Sequence, residues 1–251
     1  MNKEQLLKCS ELIKNAKKIV FFGGAGVSVP SGIPDFRSAT GIYSKTYDRH
    51  FTAEEMVSHS FFVNHPDLFD KFYYKNLVYP DAKPNDCHIL LADLEKRGQN
   101  CTVITQNIDG LHQMAGSKNV IELHGSIHRN YCVKCRTFHT LEEAAAEPQG
   151  KCKRCGGHLK PDVVLFGEGL DNTDIVRSID ALGEGDLLII GGTSLVVYPA
   201  AGLIYYYRGK NIIVVNLSNI EVALPNKDIT YISGDIAKWA REVSKLLGIN
   251  K

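Results

Sequence analysis

Five short apolar runs punctuate the chain: Lys18–Phe22, Thr102–Thr105, Val163–Phe166, Leu187–Ile190 and Ile212–Asn216. Each is apolar or β-branched and is bounded by Gly, Asp or Asn. The runs are continuous rather than alternating, the pattern of strands buried on both faces of a parallel sheet. Ile229–Ile232 is a weaker sixth run. Between the runs lie helix-period faces. Leu6, Ile13 and Ala16 precede the first strand, and Ile89, Leu90, Ala92 and Leu94 precede the second. Ile236, Ala237, Ala240, Val243 and Leu247 form a stripe near the end, with Asp235 placed to cap it. Strand–helix alternation of this kind predicts an α/β fold built on a doubly wound, Rossmann-like parallel sheet.

Two stretches break the alternation. Residues 40–81 are aromatic-rich, include "FFVNHPDLFDKFYY", and read as a helical cap inserted over the sheet edge. Residues 131–160 are polar, cysteine-rich and poor in strand pattern. The expected organisation is therefore one Rossmann-like domain from residues 1–130 and 161–251, with residues 131–160 as a small inserted module.

That module carries Cys132-x2-Cys135 and, after sixteen residues, Cys152-x2-Cys155. The doubled spacing matches a tetrahedral zinc site, and four thiolates leave no open position, so one structural ion is expected. Lys134, Arg136, Lys151, Lys153 and Arg154 would offset the negative charge of a four-thiolate complex. The seven cysteines are an odd number, which argues against a disulfide scaffold and for a reducing, cytoplasmic setting. A formal charge of +1 implies no strong nucleic-acid or membrane field. No run approaches the ~20 apolar residues of a membrane span, and the N-terminal segment has no apolar core of a secretory signal.

"VFFGGAGVSVPSGIPDFRS", Val20 to Ser38, supplies the first candidate site. A strand running into Gly24-Ala25-Gly26 suits close approach of a nucleotide phosphate, and equally a tight turn. The dehydrogenase fingerprint fails, because Val29 occupies its third glycine position. Pro30, Gly32 and Pro34 hold Asp35 and Arg37 on a loop, where Arg37 suits a phosphate or carboxylate partner. After the second strand, "TQNIDGLH" gathers Gln106, Asn107 and Asp109 at the edge where doubly wound sheets bind ligands. His124, in "IELHGS", is a candidate general base. Thr193 and Ser194 follow another strand, and Asn216 ends the next.

These motifs, with "PDVVLFGE", "GGTSLVVYPAA" and "VVNLS", run in an order and spacing that resemble the sirtuins, NAD-dependent protein deacylases. The resemblance spans about Ile19 to Ile236 and is nearest to compact bacterial members. It implies that Gly24, Ala25, Gly26, Val29, Phe36, Arg37, Gln106, Asn107, Ile108, Asp109, Thr193, Ser194, Asn216 and Ile236 bind NAD, although Val29 stands where many members carry a small hydroxyl residue. It implies that His124 is the catalytic base, and that Val164, Phe166 and Gly167 hold an extended acyl-lysine peptide by strand addition. The implied reaction releases nicotinamide, joins the acyl oxygen to the sugar as an alkylimidate, and yields free lysine and O-acyl-ADP-ribose. Members that remove succinyl groups carry an Arg three residues after a Tyr. Here Tyr73 is followed by Asn76, so acetyl and longer apolar acyl groups are expected over succinyl. Mono-ADP-ribosyl transfer from the same NAD site is the main alternative. A non-enzymatic NAD-sensing module and a dehydrogenase are others.

Overall fold

The computed structural model describes residues 1–146 and 148–249; Glu147 of the inserted segment and residues 250–251 lie outside the described residues. In chain order the helices are α1 Lys3–Asn15, α2 Ala53–Met56, α3 His59–Asn64, α4 Pro66–Asn76, α5 Asp86–Lys96, α6 Leu111–Ala115, α7 Leu141–Ala145, α8 Asn172–Glu184 and α9 Ile236–Leu246. The strands are β1 Lys18–Gly23, β2 Asn100–Thr105, β3 Val120–Glu122, β4 Gly125–Cys132, β5 Phe138–His139, β6 Leu159–Val163, β7 Leu187–Gly191, β8 Asn211–Asn216 and β9 Asp228–Ser233.

Six strands form one parallel sheet in the order β3-β2-β1-β7-β8-β9. The order reverses direction between β1 and β7, so a crevice opens outside the carboxyl ends of those two strands. Register places Gly23 beside both Thr105 and Gly191, so three strand ends meet at one level.

Side-chain alternation explains why the sheet is buried on both sides. Ile19 and Phe21 of β1 pack with Ile13 of α1, Leu90 and Leu94 of α5, and Trp239 and Val243 of α9. Val20 and Phe22 face the other layer, with Leu182 of α8 and Leu203 and Ile204 of a 3-10 segment, Ala200–Tyr206. Phe21, Phe22 and Trp239 are at most 1 % exposed; truncating such a side chain to alanine costs about 3–5 kcal/mol. Asp235 caps α9 by accepting the Lys238 amide at 2.8 Å, as its position before the apolar stripe predicts.

One expected strand is corrected. The ladder containing Val163 runs over Leu159–Val163 and ends there; it belongs to a separate antiparallel sheet, β5-β4-β6. Leu165 buries its side chain in the cap core, so the apolar run was bought by packing against helices rather than by sheet pairing. The sixth strand of the parallel sheet is instead β3, whose three residues are too few to show a pattern.

The cap is helical over α2–α4, and each of α2 and α3 starts at a side-chain cap, Thr52 or Ser58. Its aromatic core of Phe61, Phe62, Phe69, Phe72 and Tyr73 continues into Ile127, Leu141 and Val163 of the small-sheet region. Cap and small sheet thus share one core beside the crevice.

Candidate active site and structural metal site

The two glycine-bearing edges lock together at the switch point. The Gly24 amide donates to the Gly191 carbonyl at 3.2 Å, and the Gly26 amide to the Gly192 carbonyl at 2.8 Å. A Cβ on Gly24 would lie 2.9 Å from the Thr193 Cβ, and one on Gly26 would lie 2.8 Å from the Gly192 Cα. These glycines are required by the approach of a second loop as well as by any ligand. Among the described residues the Ala25 amide has no hydrogen-bond partner, so it is a loop donor open to a phosphate.

Gln106 ties the three strand ends together. Its amide donates to the Gly23 carbonyl at 3.0 Å, and its side-chain nitrogen donates to Thr193 Oγ1 at 3.1 Å. Asn107 and Asp109 converge on Ser28. The Asn107 side chain donates to Ser28 Oγ at 3.0 Å, and Ser28 donates to Asp109 Oδ2 at 2.6 Å. Asp109 Oδ1 accepts the Leu111 amide at 2.9 Å. Burial pushes the Asp109 carboxyl up, while the Ser28 and Leu111 bonds pull it back.

His124 follows β3 and is tied to the segment that leads into Asn107 and Asp109. Its Nδ1 lies 2.9 Å from the Gln106 carbonyl oxygen. A carbonyl only accepts, so Nδ1 carries the proton and Nε2 keeps its lone pair. Burial lowers the imidazole's pKa, partly countered by the Gln106 bond. A neutral ring with a basic Nε2 is the form a general base needs. The next residue, Gly125, has φ +75°, and a Cβ there would collide with the Asp162 carbonyl oxygen. Only glycine lets β4 leave the histidine at that angle.

The remaining residues fall in less uniform places. Val29 is exposed on a 3-10 turn, while its neighbour Ser28 is 1 % exposed and makes the polar contacts. Phe36 packs on Tyr43 with ring centroids 5.3 Å apart, and the Arg37 guanidinium lies 5.4 Å from the same ring centre. The loop is folded on itself, its Asp35 and Phe36 carbonyls accepting the Ile42 and Tyr43 amides at 2.8 Å. Ile108 donates no side-chain polarity; its carbonyl accepts the Ile127 amide at 3.0 Å. Ser194 is exposed, and Asn216 bonds Ser218 at the end of β8. Ile236 is buried in the sheet core, so its side chain is not presented to a ligand. The Val164 amide donates to the His124 carbonyl at 3.0 Å. Phe166 has its amide and carbonyl already bonded to Val57 and His59, at 3.1 and 2.9 Å. A peptide strand added here would pair with the groups left over, the Val164 carbonyl and the Gly167 backbone.

Three supports escape sequence reading. Ser28 looks like an ordinary loop serine. Asn85 shows its helix-capping role in sequence, but not the 2.8 Å bond from its side-chain nitrogen to the Val27 carbonyl. His128 reaches the Asp109 carbonyl at 3.1 Å from a strand bulge that has no sequence signal.

Cys132, Cys135, Cys152 and Cys155 bring their sulfurs within 4.8 Å of one another. The Cys132–Cys155 and Cys135–Cys152 separations are 3.5 and 3.6 Å, close to the ~3.8 Å edge of a zinc–thiolate tetrahedron with ~2.3 Å bonds. The His139 ring nitrogen 3.3 Å from the Cys152 sulfur gives the set an outer support. The four residues fit one structural zinc ion.

Residues 24–199 match the model of the Sir2 family. The chain belongs to the Sir2 family. Among its relatives, an NAD-dependent protein deacetylase of Clostridium perfringens is 58 % identical over 221 residues, covering 87 % of this chain and 90 % of the relative. One of Clostridium acetobutylicum, of the same name, is 49 % identical over 237 residues, covering 94 % and 96 %. A solved Sir2 with deacetylated p53 peptide and 3'-O-acetyl ADP-ribose superposes with a TM-score of 0.84 at 37 % identity, over the whole of both chains. Another Sir2, with p53 peptide and NAD+, does so with a TM-score of 0.82 at 37 % identity and the same coverage. The superposition over the whole of both chains shows that this Sir2-family chain shares its overall fold with those structures.

Proposed function

We propose that this protein is an NAD-dependent protein lysine deacetylase that releases nicotinamide and O-acetyl-ADP-ribose. The observation that carries the reading is His124: Nδ1 is committed to the Gln106 carbonyl, burial favours the neutral ring, and Nε2 keeps its lone pair, with Gln106 leading directly into the segment whose Asn107 and Asp109 meet at Ser28. Relatives matched over most of both chains are named NAD-dependent protein deacetylases.

NAD, as co-substrate, supplies an electrophilic sugar carbon when its nicotinamide leaves. The chain's own residues do the rest. Asn107 and Asp109 offer an amide and a carboxylate to the carboxamide and ribose, and Ser28 fixes the pair in place. Ala25, Thr193, Ser194 and Asn216 serve the phosphates and adenosine half. His124 Nε2 takes the proton of a ribose hydroxyl, making that oxygen the nucleophile toward the acyl carbon. Closure of the 33–44 loop would bring Phe36 over the sugar to exclude water. Val164 and Gly167 align the acyl-lysine strand. Longer apolar acyl groups fit the same scheme. The thiol-rich, disulfide-free pattern supports a reducing, cytoplasmic setting.

Incubating the protein with NAD and an acetyl-lysine peptide tests the reading. Deacetylated peptide, nicotinamide and O-acetyl-ADP-ribose should appear in equal amounts by mass spectrometry, and His124→Ala should abolish them while retaining NAD binding. ADP-ribose attached to protein, with the peptide still acetylated, would favour the transfer reading instead.

A further inference from the structure

We infer that Arg129 is a positioning residue for His124, its guanidinium bolting the strand that delivers the imidazole to the strand that leads into the peptide-facing segment. The inference rests on His124 being the base. Arg129 Nη1 lies 2.7 Å from Glu122 Oε2 at the end of β3, two residues before His124. Its Nε lies 2.6 Å from Asp162 Oδ2 on β6, two residues before Val164. His124 and Val164 are themselves joined, the Val164 amide donating to the His124 carbonyl at 3.0 Å. The guanidinium therefore spans the same two strands as that bond, and the two together frame the histidine.

The backbone explains why one side chain can do this. β4 pairs Ser126 with Asp162 and then Asn130 with Pro161, so residues 127–129 leave the ladder as a bulge. Bulges of this kind re-aim side chains. All three bulge residues are used around the site: Ile127 donates to the Ile108 carbonyl, His128 bonds the Asp109 carbonyl, and Arg129 holds Glu122 and Asp162. A surface ion pair alone would contribute little. Here the Glu122 side chain is only 10 % exposed, and the planar fork fixes two carboxylates at once.

The test uses Arg129→Ala, Arg129→Lys and Glu122→Gln in the zinc-loaded protein, each checked for folding by circular dichroism. A positioning role predicts kcat lower on the order of tenfold in Arg129→Ala with KM for NAD little changed, since small misplacements of a catalytic group act on the chemical step. Arg129→Lys, which keeps charge but loses the fork, should recover only part. The His124 imidazole, assigned in NMR spectra by its loss in His124→Ala, should titrate at higher pH in Arg129→Ala. Loosening readmits water around a ring whose pKa burial had lowered, and loss of the cation leaves Glu122 and Asp162 uncompensated, with Asp109 and His128 the other titratable groups of this framework. A folded Arg129→Ala with wild-type kcat and an unmoved His124 titration would overturn the inference; if that variant does not fold, the same result in Glu122→Gln would do so. The titration needs no turnover. An inactive wild-type protein would count against the deacetylase reading, and the NMR result would still decide this one.

Discussion

Replacing Ser28 with alanine removes one hydroxyl that two functional side chains share. Ser28 is 1 % exposed, its Oγ donates to Asp109 Oδ2 at 2.6 Å and accepts from the Asn107 amide at 3.0 Å. The charge-assisted bond contributes about 2 kcal/mol and the neutral one about 1 kcal/mol, so Ser28→Ala should cost about 3 kcal/mol. In a chain of this size that is a fall in Tm of about 6–12 °C, read by differential scanning calorimetry. The same change has a pH signature. Burial raises the Asp109 pKa and the Ser28 bond lowers it, so the variant's carboxyl should titrate higher still. If the ionised carboxylate holds the carboxamide, the acid limb of kcat/KM for NAD moves to higher pH in the variant. Unchanged Tm together with an unmoved acid limb would refute the shared-hydroxyl reasoning.

Chelation of zinc, or Cys152→Ala, should unfold the β5-β4-β6 lobe and with it the aromatic core it shares with the cap; metal analysis should find one zinc per chain, and metal-free protein with native circular dichroism and Tm would contradict the structural role. Burial lowers the pKa values of His88, to about 4, and of His112 and His124 from the ordinary value of 6.5, so the unfolded chain binds these protons first. The imidazoles' share of stability is full above pH 6.5 and is lost as pH falls toward 4, about 3 kcal/mol of it from His88, while Asp70, raised to about 7 by burial, works in the opposite sense over the same window. Denaturant titrations at several pH values should therefore show a smaller acid loss in His88→Phe than in the wild type, and identical pH slopes would contradict this. A succinyl-lysine peptide should be processed roughly tenfold or more slowly than an acetyl one, because Asn76, whose side chain donates to the Phe72 carbonyl at 2.8 Å, stands where an Arg would pair with the acyl carboxylate; comparable rates in a peptide assay would overturn that specificity.

The sheet was legible where strands are buried on both faces, because Ile19–Phe22, Leu187–Ile190 and Ile212–Val215 have nowhere to place a polar side chain. The metal site was legible because cysteine spacing alone brings four sulfurs together. β3 was not legible, since three residues carry no period, and Val163–Phe166 misled because apolar packing against the cap resembles a strand in sequence. Within the site, His124 and Asp109 stand in quotable motifs. Ser28, His128 and Arg129 act across 81, 19 and 33 residues of chain, on Asp109 and Asp162, and such partnerships exist only once strands β1, β2, β4 and β6 are in register.

In the proposed complex the carboxyl ends of β1, β2 and β7 hold one NAD with its nicotinamide ribose beside His124. A crystal structure of the protein with NAD and an acetyl-lysine peptide measures this directly. A ribose hydroxyl should lie within hydrogen-bond distance of His124 Nε2, with the carboxamide against Asn107 and Asp109. A dinucleotide lying elsewhere, such as the groove of about 460 Å³ between Lys83 and Arg241, or a ribose out of reach of Nε2, would contradict it.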